Sequence, residues 1–146
     1  MMGDQSKSFQ ECCLYFVANS LSRFIGNIAN DAFRVTGLQT SYAHLLLLII
    51  EEPGLSQGEI SHKMNLKPST ITRFIDKLIT MGYVQRSQEG RTVYIHPTDE
   101  GIKMKPKLDQ ALADLFDKYC EVLGKETAVK LTADIHKANQ ALGENE

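Results

Sequence analysis

The stretch KPSTITRFIDKL, Lys67 to Leu78, places Ile71, Phe74, Ile75 and Leu78 at i, i+3, i+4 and i+7, the spacing of one buried helix face. A solvated face normally carries good helix formers such as Glu, Lys, Gln or Ala. Here the outward positions are Ser69, Thr70, Thr72 and Arg73, with Asp76 and Lys77 beyond them. Three short hydroxyl residues weaken a helix interior, so this face reads as one selected for contact. The plain alternative is an ordinary solvated surface.

The residues around the stretch say how such a helix is held. Upstream, Ser56 and Glu59 in SQGE match a capping box, in which each side chain satisfies a backbone N–H of the first turn. The short helix QGEISHKM then directs Ile60 and Met64 inward, and Asn65 can adopt the left-handed conformation that stops it. Pro68 has the fixed φ suited to a first helical residue. Two helices joined by so tight a turn make a helix-turn-helix. Downstream, Gly82 ends the second helix. Val84–Ser87 and Thr92–Pro97 are β-prone runs around Gly90, which permits the positive φ of a hairpin turn. Val93 and Ile95 alternate with Tyr94 and His96, the pattern of a half-buried strand.

A helix standing on its apolar stripe between a tight turn and a hairpin can enter the major groove of a DNA duplex, which admits one α-helix. Hydroxyls near its N-terminus permit close approach to phosphates or base edges, and the helix N-terminus favours phosphate. Arg73 carries the fork that pairs with guanine O6 and N7, whereas Lys77, a turn further on, would meet the backbone. Lys63 and Lys67 would neighbour phosphates. Asp76 is expected to pair with Arg73 or a wing arginine rather than approach an acidic duplex.

Charge distribution agrees. Residues 56–96 hold six Lys or Arg against three Asp or Glu, a balance of +3, inside a remainder carrying −5. A basic middle in an acidic frame points to a local anionic partner.

The frame reads as helical. Residues 9–36 carry apolar positions at helical spacing from Phe9 to Val35, with Gly37 as the C-terminal glycine. The stripe is too wide for one small domain to bury, so a partner chain is expected. TSYAHLLLLIIEE forms a buried helix capped by Thr40 or Ser41 and ended by Pro53 and Gly54. Thr98 caps a helix running to Leu123, kinked at Pro106 and broken at Gly124. The last helix, from Lys125, has Val129, Leu131, Ile135, Ala138 and Leu142 as its apolar side.

At 146 residues the chain is expected to be one interlocked domain. Its class is mainly α with a small β wing: about six helices and a two- to three-stranded hairpin sheet. The longest aliphatic run, Leu45 to Ile50, is far short of a bilayer span, and the opening MMGDQSKS lacks a secretory pattern. A cytoplasmic protein without membrane association is therefore expected. Cys12, Cys13 and Cys120 make no disulfide framework, and no Cys/His spacing fits a metal. No nucleophile elbow, phosphate-cradling glycine loop or paired carboxylates argue for an enzyme.

The run from Leu55 to Gly101 resembles the winged helix-turn-helix of the MarR family of bacterial transcription regulators. The likeness rests on L-x-x-x-E-I, S-T-I-T-R-F-I-D-K-L, G-Y-V-Q-R and T-D-E-G in that order. It extends to the order and length of the flanking helices. The resemblance implies a homodimeric repressor on a pseudo-palindromic operator, responsive to a ligand or to stress. Residues 1–37 and 99–146 would form the helical dimerisation region and 38–98 the winged DNA-binding region. The DNA-binding set would be Lys67, Pro68, Ser69, Thr70, Thr72, Arg73, Lys77, Arg86 and Arg91. Where the family's wing commonly reads Asp-x-Arg, this chain has Glu89-Gly90-Arg91 in a shorter hairpin. The family also implies a small aromatic or carboxylate effector in a cleft that Arg23, Asn27, Tyr42 and His44 would line; the competing reading is a packed core. A redox-sensing branch implies a role for Cys12 and Cys13, against inert packing. Neither a cofactor nor a metal is expected. The remaining rival is a winged helix used for protein contacts alone.

Overall fold

A computed structural model describes residues 8–144. The ends of the regions expected over 1–37 and 99–146, and most of the MMGDQSKS opening, lie outside the described residues. The fold is the class read from the sequence, helices around a small antiparallel sheet.

The chain opens with α1 (Phe9–Cys12) and α2 (Leu14–Phe33). The single helix expected over 9–36 is thus divided. Cys13 is extended (φ −89°, ψ 111°), although its N–H still reaches the Phe9 carbonyl at 2.9 Å. The break folds Phe9 back against Phe16, ring edge to ring face at 5.2 Å. Because that contact preserves the apolar stripe, periodicity alone does not register the break. A 3-10 turn over Arg34–Thr36 follows, and Gly37 takes the left-handed conformation at φ 72°. The buried Thr36 hydroxyl donates to the Phe33 carbonyl at 2.6 Å.

Helix α3 (Thr40–Glu51) buries Ala43, Leu45, Leu46, Leu47 and Ile49. Its cap is Gln39 rather than Thr40 or Ser41, with no side-chain bond to the first turn. Thr40 instead donates to Asn30 Oδ1 at 2.8 Å, tying α3 to α2. A short strand β1 (Leu55–Ser56) runs directly into α4 (Gln57–Met64). The capping box is complete: Ser56 Oγ accepts from the Glu59 N–H at 3.1 Å and Glu59 Oε2 from the Ser56 N–H at 2.9 Å. Asn65 is left-handed at φ 54°, and Pro68 opens α5 (Pro68–Thr80).

The wing is β2 (Val84–Glu89) and β3 (Thr92–Pro97), with Gly90 at φ 61° in the turn. Strand β1 adds to the outside of β3, pairing Leu55 with Ile95 and Ser56 with Tyr94, so the sheet order is β1-β3-β2. Thr98 then caps α6 (Asp99–Ile102), its Oγ1 accepting from the Gly101 N–H at 3.1 Å. The helix expected to run from Thr98 to Leu123 breaks at Lys103 and Met104, and α7 (Lys105–Leu123) starts anew. Pro106 therefore lies in a first turn and kinks nothing; there its missing N–H has no intrahelical partner to lose. Gly124 (φ 86°) separates α7 from α8 (Lys125–Gly143).

One core joins these parts. Ile60, Ile71, Ile75, Leu78 and Ile95 are wholly buried with Leu45, Leu46 and Ile49 of α3, and the same cluster includes Phe33, Leu108 and Ala111. Each such large apolar side chain contributes about 1.5–3 kcal/mol relative to exposure. Helix α7 packs against both α2 and α8. The apolar stripe of α8 forms as expected but lies open: Val129, Ile135 and Leu142 are exposed, and Ala128 is the buried residue. Among the described residues no single helix is long and apolar enough to cross a membrane; α2 and α3 pass only as a pair bent by 62°.

Candidate nucleic-acid interface

Helix α5 is seated by Ile71, Ile75 and Leu78, which leaves Ser69, Thr72, Arg73, Asp76 and Lys77 exposed and Thr70 half-buried at one edge. At 100° per residue, Ser69, Arg73 and Lys77 form one stripe down the centre of the free face. Thr72 and Asp76 form a second stripe beside it. The two stripes differ in what holds them.

On the second stripe the polar groups are engaged by neighbouring elements. The Thr72 hydroxyl donates to the Pro68 carbonyl at 3.0 Å and accepts from Gln57 Nε2 of α4 at 2.6 Å. Asp76 accepts from Arg86 of β2 in an exposed ion pair. Asp76 thus pairs with a wing arginine, and the charge of Arg86 is partly committed to it. On the central stripe, the Arg73 guanidinium lies 5.6 Å from the Phe74 ring centre. Phe74 itself stacks on Tyr42 of α3 at 4.5 Å. Tyr42, Phe74 and Arg73 thus form a ladder that ties α5 to α3.

The remaining basic residues spread around that face. Lys67, the residue preceding α5, and Pro68, its first residue, are exposed. Lys63 forms an ion pair with Glu52 at 3.2 Å, so its charge is partly neutralised. Arg91, in the wing turn, is exposed and faces a cleft of 360 Å³ whose other wall is Ser56, Gln57 and Gly58 at the start of α4. The fold thus gathers the start of α4, the free face of α5 and the wing arginines. Gln57 belongs to this group, although the sequence reading does not single it out. The available signal is a donor amide one residue after the α4 cap, which the helix-turn-helix geometry carries toward the next helix.

The four residues expected to line an effector cleft are not brought together. Tyr42 faces Phe74 and serves as packing. Arg23 donates to Ser20 on its own helix at 3.3 Å, and Asn27 is exposed. Of the four, only His44 lines an apolar groove of 760 Å³ between α2, α7 and α8, with Leu21, Ile25, Leu115, Tyr119 and Ile135 among its walls. His44 stacks on Phe33 at 5.0 Å, and its Nδ1 meets the Thr40 carbonyl at 2.9 Å. Burial pushes the Tyr119 phenol above its ordinary value, so the groove presents a neutral hydroxyl. Cys12, Cys13 and Cys120 are half-buried and in no disulfide; Cys12 Sγ contacts the Ser8 carbonyl at 3.2 Å. Among the described residues no group of three His, Cys, Asp or Glu is placed to hold a metal ion.

Residues 39–91 match the MarR family. The Escherichia coli transcriptional regulator PapX is 33% identical over 104 residues, covering 68% of this chain and 63% of that protein. A riboflavin kinase of Pyrococcus furiosus is 28% identical over 83 residues, 53% of this chain and 39% of the kinase. The chain thus spans less than two thirds of either relative. Among solved structures, the transcriptional repressor CouR bound to a 23-mer DNA duplex has a TM-score of 0.82 at 18% identity, over 94% of this chain and 99% of that one. CouR of Rhodococcus jostii bound to p-coumaroyl-CoA has a TM-score of 0.73 at 22% identity, over 89% and 91%. The winged helix-turn-helix over residues 39–91 thus matches the MarR family, and the chain as a whole shares the fold of these solved regulators.

Proposed function

We propose that this protein binds duplex DNA as a cytoplasmic homodimer and represses transcription from a pseudo-palindromic operator. The observation that carries the reading is the free face of α5, where Ser69, Arg73 and Lys77 stand clear of the chain's own fold. Arg73 reads guanine through O6 and N7. Lys67, Lys77 and Arg91 meet phosphates, and Arg86 does so once Asp76 yields it. Residues 38–98 supply the reading head and the flanking helices the dimer contact. Support for dimerisation comes from apolar side chains left in solvent on those helices, Leu14 at 76%, Tyr15 at 80% and Phe24 at 69% exposed. Two-fold symmetry sets half-sites about one helical turn apart.

A small aromatic or carboxylate effector would enter the groove beside His44 and Tyr119, where binding alters the spacing of the two heads. The test is selection of duplexes from genomic fragments by the purified protein, followed by affinity measurements across a salt series. Retention that falls steeply with salt is expected, since each phosphate contact releases counterions. Arg73→Ala should weaken binding by about 5- to 150-fold and relax preference at one base position. No retention at low salt would reject DNA binding and leave protein contact as the role of the wing.

A further inference from the structure

Resting on the DNA-binding reading, we propose that Gln57 is a positioning residue that sets what Thr72 can read on a base edge. Thr72 is one turn from Pro68 and spends its hydroxyl proton on that carbonyl at 3.0 Å. An hydroxyl has one proton and two lone pairs. Gln57 Nε2 takes one of those lone pairs at 2.6 Å, across 15 residues and from a different helix. Because Gln57 donates to it, the Thr72 hydroxyl cannot turn its proton that way and keeps it on Pro68; without Gln57 the hydroxyl is free to rotate and donate to a base acceptor. What Thr72 retains for a ligand is a methyl group and a single acceptor lone pair.

That residual chemistry is selective. A methyl suits the C5-methyl of thymine, and a lone acceptor suits the exocyclic amines of adenine or cytosine. Guanine presents O6 and N7, both acceptors, and gives a proton-committed Thr72 nothing to bond. Gln57 therefore acts at a distance on base preference without needing to touch a base. Its place at the first position of α4 suits this role, because Ser56 caps the same turn and the capping box holds the glutamine backbone. Gln57 also lines the cleft toward Arg91.

The experiment is selection of bound duplexes from a randomised pool by the full-length protein and five variants: Gln57→Ala, Gln57→Met, Thr72→Ser, Thr72→Val and Gln57→Ala with Thr72→Val. Gln57→Met keeps length without hydrogen bonding, so it stands in should the alanine variant fold poorly; thermal melts report folding. Both Gln57 variants should admit guanine at one half-site position, the position that the Thr72 variants also alter. Affinity for the preferred duplex should fall about fivefold, the factor one neutral hydrogen bond contributes. In the Thr72→Val background, Gln57→Ala should have no further effect. A scaffolding role for Gln57 would lower the melting temperature while leaving base preference untouched. Unchanged preference in folded Gln57 variants, or effects that simply add to those of Thr72, would overturn the proposal and leave DNA binding intact. Failure of the unaltered protein to retain any duplex would sink both.

Discussion

Gly101→Ala is the substitution whose cost the structure sets most directly. A Cβ built at Gly101 would lie 2.1 Å from the Tyr83 carbonyl oxygen and 3.0 Å from its carbon. A comfortable carbon–oxygen approach is roughly 3.3 Å, so one backbone must retreat by about 1.2 Å. The carbonyl cannot retreat freely: it accepts from the Thr98 N–H at 2.9 Å, and the Thr98 hydroxyl donates to the neighbouring Gly82 carbonyl at 2.6 Å. Overpacking of this kind costs about 3 kcal/mol. The gain in helix propensity returns at most about 1 kcal/mol. The net loss is about 2 kcal/mol, or a fall of roughly 4–8 °C in melting temperature for a chain of this size. Gly58→Ala is the matched comparison, because nothing lies within 4 Å of its added methyl. It should gain about 0.5 kcal/mol by restricting the unfolded chain and favouring α4. Both are read by thermal unfolding at one fixed protein concentration, since association shifts the midpoint. If Gly101→Ala melts within a degree of the parent, the close approach of α6 to the wing root is not a constraint and the reasoning fails.

Three further substitutions probe other joints. Ser56→Ala removes half of the capping box and should cost about 1 kcal/mol, seen as a lower denaturant midpoint with unchanged slope. Asp76→Asn breaks an exposed ion pair and should change stability by less than about 1 kcal/mol. The same change releases Arg86 to phosphate, so DNA affinity at low salt should rise and the salt slope steepen by about one. Phe24→Asp places a charge on the open face of α2 and, on the proposed dimer, should yield monomer in sedimentation velocity while leaving the helical circular dichroism intact.

Much of the reading head was legible because its determinants are local. The Ser56 and Glu59 box, left-handed Asn65, Pro68 at a helix start and Gly90 in a hairpin each follow from the chemistry of one or two residues. The two helix breaks were not, for different reasons. Cys13 carries no side-chain signal for an extended conformation, and its break keeps the apolar stripe in phase. Pro106 is compatible with both a kinked interior and a first turn; what decides is the closure of α6 over Tyr83, a contact between residues distant in sequence. The candidate site divides in the same way. Which residues of α5 face outward followed from periodicity, and the Asp76 partnership followed from charge. That Gln57 reaches Thr72, and that Tyr42 stacks on Phe74, depends on how helices cross.

The two residues of β1 have a mechanical consequence. Ser56 pairs with Tyr94 in the sheet and is also the residue on which α4 begins, with no loop between the two roles. A sheet strand and a helix that share a residue cannot be tilted independently, so torque on the wing passes through β1 into α4 and, through Gln57, on to its neighbour. The apparatus therefore behaves as one stiff lever, and whatever pivots it should move the wing, α4 and the free face of α5 in the same step.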